Sequence, residues 1–357
     1  MAYSGTYGQT VITVQDLIDH GARNCGKLAE ELTDEQVLAS KRSLYFLLSN
    51  LINIGIQYWA VDKKVFGLNQ DKMTYELPSG ANDVLNALYR QMARPTPPDP
   101  SGYYSSAGGF AYDAFDSEVT TICTQTAPNG NISVDYGTDN PVYIGSIGYL
   151  PGATGTISLI YEYSTDGVAW STLYDMGEID VVDNEWIWQD LNIGQTVQYY
   201  RARVYNGSTM VVRELYFGNM AREITMARLN RDDYTNLPNK NFTANQPYQF
   251  WFDRTIPVPT IYLWPTPSDP FIQMTVWYSR QIMDVGDLNG ELEIPQRWYE
   301  AIQFMLSHRM SLQLPGVDMA RVQYLEGQAE KYLNQAEQEE RDKSPIYFAP
   351  NISVYTR

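Results

Sequence analysis

Carboxylates are the chemistry this sequence offers most of: 42 Asp and Glu stand against 25 Lys and Arg and 2 His, for a net charge of −17. Asp113 and Asp116, in Ala111-Tyr-Asp113-Ala-Phe-Asp116, lie three residues apart and would present hard oxygen ligands to Ca²⁺; the plainer reading is an Asp-rich turn. Trp186 and Trp188 alternate onto one strand face between Asp183, Glu185 and Asp190. Exposed, they would contact a sugar or a protein; buried, they are core. Paired carboxylates can act as acid and base on a glycosidic bond, but among so many acids no pair stands out. His20 and His308 each sit in a helical pattern with no second His or Cys at ligand spacing, which argues against a metal centre built on them. Cys25 and Cys123 lie far apart and read as reduced, buried thiols. No phosphate-loop pattern occurs, and Gly152-Ala-Thr-Gly155-Thr reads as a turn. No catalytic residue and no cofactor beyond that Ca²⁺ is expected.

The charge is unevenly spread. Residues 101–218 hold 14 Asp and Glu, only Arg201, Arg203 and Arg213, and no Lys, a net of −11 that leaves −6 for the rest of the chain. Such a break in composition marks a separate module, one expected to fold alone, and it argues against a grip on phosphate by that module. No apolar run is long enough to cross a bilayer, and MAYSGTYGQT lacks the basic start and apolar stretch of a signal peptide. The Asn-x-Ser/Thr triplets at Asn131, Asn206, Asn241 and Asn351 mean little without secretion.

The elements that must position these residues follow from periodicity. Thr13 with Asp16 caps a short helix carrying Leu17, Ile18 and Ala22. Thr33-Asp34-Glu35-Gln36 is a capping box and opens a helix expected to run to about Phe66. Val84 to Tyr89 fits strand or helix. A Pro/Gly/Ser linker occupies 94–109. Short β-rich runs then follow at Ile132–Val134, Val142–Ile144, Ile157–Tyr163, Val197–Tyr205 and Met210–Phe217, as in an antiparallel sandwich. Pro259–Trp264 and Phe271–Ser279 are expected to pair as a hairpin. Pro295 starts a helix ended by Leu314-Pro315-Gly316, and a second helix repeats Val322, Leu325, Ala329, Tyr332 and Ala336 as an apolar seam. The two should pack antiparallel. The tail from Ser344 carries Ile346, Tyr347, Phe348, Ile352, Val354 and Tyr355, while Pro345 and Pro350 keep it extended.

Leu17-Ile18 through Ala22-Arg23 and Gly26, the helix to Trp59, Leu77-Pro78, Tyr262-Leu-Trp-Pro265, Met274–Tyr278, Asp287-Leu288, Ile294-Pro295 and Trp298 occur in an order that resembles the head-to-tail adaptor, or tail accessory, proteins of short-tailed phages. The middle resembles a discoidin-like, galactose-binding-type sandwich. That resemblance rests on Ala111-Tyr-Asp113-Ala-Phe-Asp116, Ile132-Ser-Val-Asp135-Tyr-Gly137, Tyr163-Ser-Thr-Asp166-Gly167 with Trp170, Tyr199-Tyr-Arg201-Ala-Arg203, and Glu214-Leu215. It further implies that Trp170 is buried in the sandwich core. Ser117 stands where that pattern has glycine, which bears on the loop cation.

The fold class expected is multidomain α+β. An α-helical adaptor core with a small β-hairpin (1–93 and 219–343) would be interrupted, after the 94–109 linker, by an antiparallel β-sandwich, a discoidin-like jelly roll, at 110–218. An extended arm at 344–357 would follow. The resemblance implies a structural virion protein assembled in the host cytoplasm and located at the portal vertex or tail. It would form a ring of twelve copies that joins the portal protein to tail or nozzle proteins. DNA would pass through a neutral or acidic channel without specific binding, and there would be no membrane partner. In that setting Ile346, Tyr347, Phe348, Val354 and Tyr355 would dock on a neighbour or the portal. A carbohydrate-binding virion protein and a cell-wall hydrolase are the alternatives.

Overall fold

A computed structural model describes residues 11–54, 58–97 and 100–340. In chain order, helices α1 (Val14–Asn24) and α2 (Asp34–Ile54) precede strands β1 (Val61–Leu68), β2 (Thr74–Glu76) and β3 (Ala81–Ala93). Next come β4 (Tyr103–Ser105), β5 (Cys123–Gln125), β6 (Asn131–Asp135), β7 (Val142–Pro151) and β8 (Gly155–Ser164). These lead to β9 (Ser171–Val181), β10 (Ile187–Val197), β11 (Tyr199–Tyr205) and β12 (Met210–Thr225). The last group is β13 (Ala227–Leu229), α3 (Arg231–Thr235), β14 (Thr243–Ala244), β15 (Gln249–Asp253), β16 (Thr260–Trp264), β17 (Thr266–Pro267) and β18 (Ile272–Arg280), then α4 (Gln296–Gln313) and α5 (Met319–Glu340).

The chain divides into two units, one from the two ends (up to Val61 and from Arg280) and one spanning Asp62–Ser279. In the helical unit α1 starts with the capping box read from sequence: Thr13 Oγ1 accepts from the Asp16 N–H and the Asp16 carboxylate accepts from the Thr13 N–H. Thr33 and Gln36 do the same for α2. Helices α4 and α5 form the antiparallel pair expected, with Val322, Leu325, Ala329 and Ala336 buried on the seam. The Glu340 carboxylate closes the pair, accepting from the Arg297 guanidinium at 2.6 Å and from Trp298 Nε1 at 3.3 Å.

The expected α-helical adaptor core is not what forms. Among the described residues strand outweighs helix, and most of 61–93 and 219–280 is sheet. Helix α2 ends at Ile54, just before Gly55 in sequence, rather than at Phe66, and Val61–Leu68 is a strand. A run rich in apolar residues satisfies helix and strand patterns alike. Here β1 lies beside β18 in the sheet, where Leu68 is buried in the core. The same holds for 84–89, which lies inside β3. The expected hairpin between Pro259–Trp264 and Phe271–Ser279 is also replaced. Strand β16 pairs with β15 and β2, whereas β18 lies between β1 and β3 in another sheet.

The sandwich is present and antiparallel. One layer runs β4-β6-β11-β8-β9, and the other contains β10, β7, β12 and β5. Ile132, Val134, Tyr161, Tyr200, Ala202, Val204, Leu215 and Phe217 fill the space between, at alternate positions along their strands. The buried tyrosines are tolerated because their hydroxyls reach carbonyls, as Tyr161 Oη does to Gly148 O at 3.0 Å. Strand β12 does not stop at the expected border of 218. Its first half pairs with β7 and its second half, Asn219 to Thr225, pairs with β3. One sheet therefore runs β1-β18-β3-β12-β7-β10, through and beyond the sandwich.

Candidate binding cleft

A cleft of about 380 Å³ is walled by Arg94, Tyr103, Tyr112, Phe115, Asp116 and Phe271. Its parts come from distant sequence: the segment after β3, strand β4, the 3-10 turn Ala111–Ala114, and the residue preceding β18. Tyr103 stacks on Phe115, with ring centres 4.5 Å apart and planes 21° apart, while Tyr112 meets the Tyr103 edge and keeps 54% of its surface exposed. An aromatic wall with an open rim results.

Arg94 organises the floor. Its Nη1 donates to Glu214 Oε2 at 2.6 Å and to the Leu215 carbonyl, and its Nη2 donates to the Phe115 carbonyl and to Ser117 Oγ, each at 2.7 Å. The guanidinium also lies over the Phe271 ring at 4.3 Å. Glu214 is closed off from water, and its Oε1 has no donor. Burial pushes the Glu214 carboxyl up to about 7; Arg94 opposes the rise and the neighbouring Asp116 carboxyl adds to it. Two carboxyls facing one another satisfy Oε1 only if one carries a proton, which adds to the rise that burial causes.

The loop oxygens are taken up by the Arg94 guanidinium. The carbonyls of Phe115 and Leu215, the Ser117 hydroxyl and the Glu214 carboxylate, a plausible hard-ion cage by type, all converge on Arg94. Asp116 is occupied as well, with Oδ1 accepting from the Glu118 N–H and Oδ2 from Thr121 Oγ1. The Asp113 carbonyl also accepts from Thr121. Among the described residues no group of three or more His, Cys, Asp or Glu is arranged to hold a metal. A Ca²⁺ at Asp113 and Asp116 would have to displace the hydrogen bonds that Asp116 already accepts.

Trp186 and Trp188 do share a face, stacked at 4.6 Å, but neither lines the cleft; they are half-buried against Met92, Tyr216 and the cleft residue Phe271. Trp170 lies over the Arg201 guanidinium at 4.1 Å, not among the core residues expected around it. His20 and His308 sit on α1 and α4. Both cysteines are buried, and burial pushes each thiol up to about 11. The docking-arm residues Ile346, Tyr347, Phe348, Val354 and Tyr355 fall outside the described residues. Reading the sequence missed Arg94, Glu214 and Phe271 as cleft residues. The one signal was a single arginine opening a Pro/Gly/Ser-rich segment.

No helix among the described residues is long and apolar enough to cross a membrane. Fold and site together define a β-sandwich protein with an attached helical unit and a walled, aromatic-lined cleft. No family model matches the chain. No curated protein matches it either. Solved structures do match over about the length of the sandwich. One is the CpGH89CBM32-5 module of Clostridium perfringens in complex with GalNAc-β-1,3-galactose, at 15% identity over 33% of this chain and 94% of that one, with a TM-score of 0.28. A pectin-binding carbohydrate-binding module matches at 16% identity over 37% and 94%, with a TM-score of 0.29. The CBM62 module of Clostridium thermocellum Xyl5A matches at 19% identity over 36% and 99%, also with 0.29. These values are too low to place the chain among them.

Proposed function

We propose that this chain is a non-catalytic carbohydrate-binding protein whose sandwich receives a saccharide at the Arg94–Tyr112 cleft. The observation that carries this reading is the half-exposed Tyr112 ring at the open rim of an aromatic wall. A pyranose has an apolar C–H face that stacks on such a ring and a hydroxyl edge that needs donors and acceptors. Ser117, Thr96 and Asp116 line the same space and supply them. Full-length protein on a glycan array should show saccharide binding. Tyr112→Ala should abolish it with an unchanged melting temperature, because that ring is largely outside the core. Absence of binding to every glycan on the array overturns the reading.

A second reading is a structural part of an assembly, the role implied by the resemblance to phage adaptors. One observation favours it: Leu28, Leu312 and Met319 are all more than half exposed in the helical unit. A ring or filament on a sizing column, in the class-averaged micrograph of purified protein, is the expected result. A strictly monomeric chain counts against it.

A further inference from the structure

The aromatic wall of the cleft does not end at its rim. Phe110 opens the turn Ala111–Ala114 that carries Tyr112. Its carbonyl accepts from the Asp113 N–H at 3.1 Å, and the Tyr112 carbonyl accepts from the Phe115 N–H at 2.8 Å. Being two residues apart, Phe110 and Tyr112 have Cα atoms at most ~7 Å from one another. Phe110 is 79% exposed and Tyr112 54%. In the described stretch 101–218 only Tyr104, at 60%, joins them among aromatic residues more than half exposed. Tyr104 belongs elsewhere. It follows Tyr103 on β4, and because Tyr103 stacks inward on Phe115, alternation turns Tyr104 to the opposite face of that sheet.

The exposed Phe110 ring stands on a fixed backbone. The Ser106 N–H donates to the Asn131 carbonyl at 2.9 Å, and the Ala107 carbonyl accepts from the Thr126 N–H at 3.0 Å, which ties the approaching loop to β6 and to the residue after β5. Gly108 and Gly109 then take φ of +67° and +69°. A Cβ on Gly109 would also lie 2.9 Å from Cys123 Sγ and from the Thr124 carbonyl, so only glycine lets the loop lie this close to β5. A ring whose backbone is already fixed loses less freedom on binding. The charges nearby restrict what can bind. Arg94 and Asp116 are the charged residues that line the cleft, and Arg94 Nη1 and Nη2 each donate to two protein acceptors. Asp113 and Glu118 stand on the same loop as Asp116, and Glu214 lies behind Arg94. A ligand carboxylate or sulfate would meet more acid than base there.

We infer that the cleft and Phe110 together hold an extended, uncharged polysaccharide chain, with one sugar stacked on Tyr112 and a neighbouring sugar on Phe110. The inference rests on the carbohydrate reading and deepens it from a single sugar to a chain. Thr96, Ser117 and Asp116 serve the hydroxyls of the sugar in the cleft. Phe110 offers only an apolar face, which suits a second ring kept close by its linkage to the first. A protein is the competing occupant of so exposed a ring, but the hydroxyl-matching groups in the adjoining cleft favour a glycan.

Affinity electrophoresis of the full chain through galactomannan, xyloglucan, mixed-linkage β-glucan, starch and polygalacturonate tests this. At least one neutral polymer should retard the protein, and polygalacturonate should not. Calorimetry with one-unit and four-unit fragments of the retarding polymer should show the longer one binding at least ~10-fold more tightly, the gain expected from covering one more aromatic ring. Phe110→Ala should abolish that gain with its melting temperature unchanged, whereas Phe110→Tyr and Tyr104→Ala should keep it. Equal affinity for the two lengths, or a gain that survives Phe110→Ala, overturns the chain and leaves the carbohydrate reading standing. So does retardation by polygalacturonate alone. No retardation by any of the polymers overturns the inference, and together with an empty glycan array it overturns the carbohydrate reading as well.

Discussion

Arg94 and Glu214 pair at 2.6 Å with both side chains almost wholly out of water, 7% and 0% exposed. Arg94 follows β3, outside the sandwich by sequence, and Glu214 lies in the shared strand β12. Breaking such a pair from one side leaves a buried group without compensation, which costs about 3–5 kcal/mol. Arg94→Ala should therefore lower unfolding free energy by about that amount in urea titrations. Arg94→Lys should recover only part of it, because one ammonium cannot span four acceptors. An excised sandwich that begins at residue 101 lacks Arg94 and should melt well below the same segment in the intact chain.

Glu214 also sets a pH dependence. Its folded value, pushed up to about 7, lies above the ordinary 4.5, so the folded chain holds a proton that the unfolded chain releases between these values. Its contribution is complete below 4.5 and is lost as pH rises through about 7, a change of up to about 3 kcal/mol. Melting temperature should fall from pH 5 to pH 8 in the native protein. Glu214→Gln should flatten that slope; an unchanged slope would exclude Glu214 as its source.

Glu162 should do the opposite. It is buried in β8 and accepts from Arg201 Nε at 2.6 Å and from Arg203 Nη2 at 2.9 Å. Burial alone would push its carboxyl up, but the hydrogen bonds from Arg203 and Arg201 outweigh burial and hold it below 4.5. Its stabilisation is present above 4.5 and lost as pH falls through the lowered value. Glu162→Ala should cost about 3 kcal/mol at neutral pH and remove the corresponding acid-side slope in thermal melts.

Gly67 and Gly148 lie against the Trp186–Trp188 pair. A methyl on Gly67 would overlap Trp188 Nε1 and the Trp186 Cβ, and one on Gly148 would meet the Trp188 ring at 2.8 Å. Gly67→Ala should destabilise by roughly 1–3 kcal/mol and change the near-ultraviolet circular dichroism of the stacked indoles. A changed spectrum with an unaffected melt would show that the indoles can shift without cost.

Local signals were readable wherever one short segment decides its own structure. Thr13 and Thr33 cap helices because a hydroxyl three residues from an amide meets it whatever the rest of the chain does. The α4–α5 hairpin was legible for the same reason, as its seam and its Pro-Gly turn are both local. The sandwich strands β6, β7, β8, β11 and β12 showed through alternation, whereas β9 and β10, half-exposed on both sides, did not. What tertiary structure alone decided is which strands are neighbours. Val61–Leu68 became sheet because β18 was there to pair with it, and β12 ran on past the composition break because β3 accepted its second half. The cleft depends on the same choice. Arg94, Phe115, Glu214 and Phe271 are scattered across the sequence, and no periodicity relates them. They meet because burying a guanidinium requires several acceptors at once, and only the assembled sheets bring those acceptors to one point.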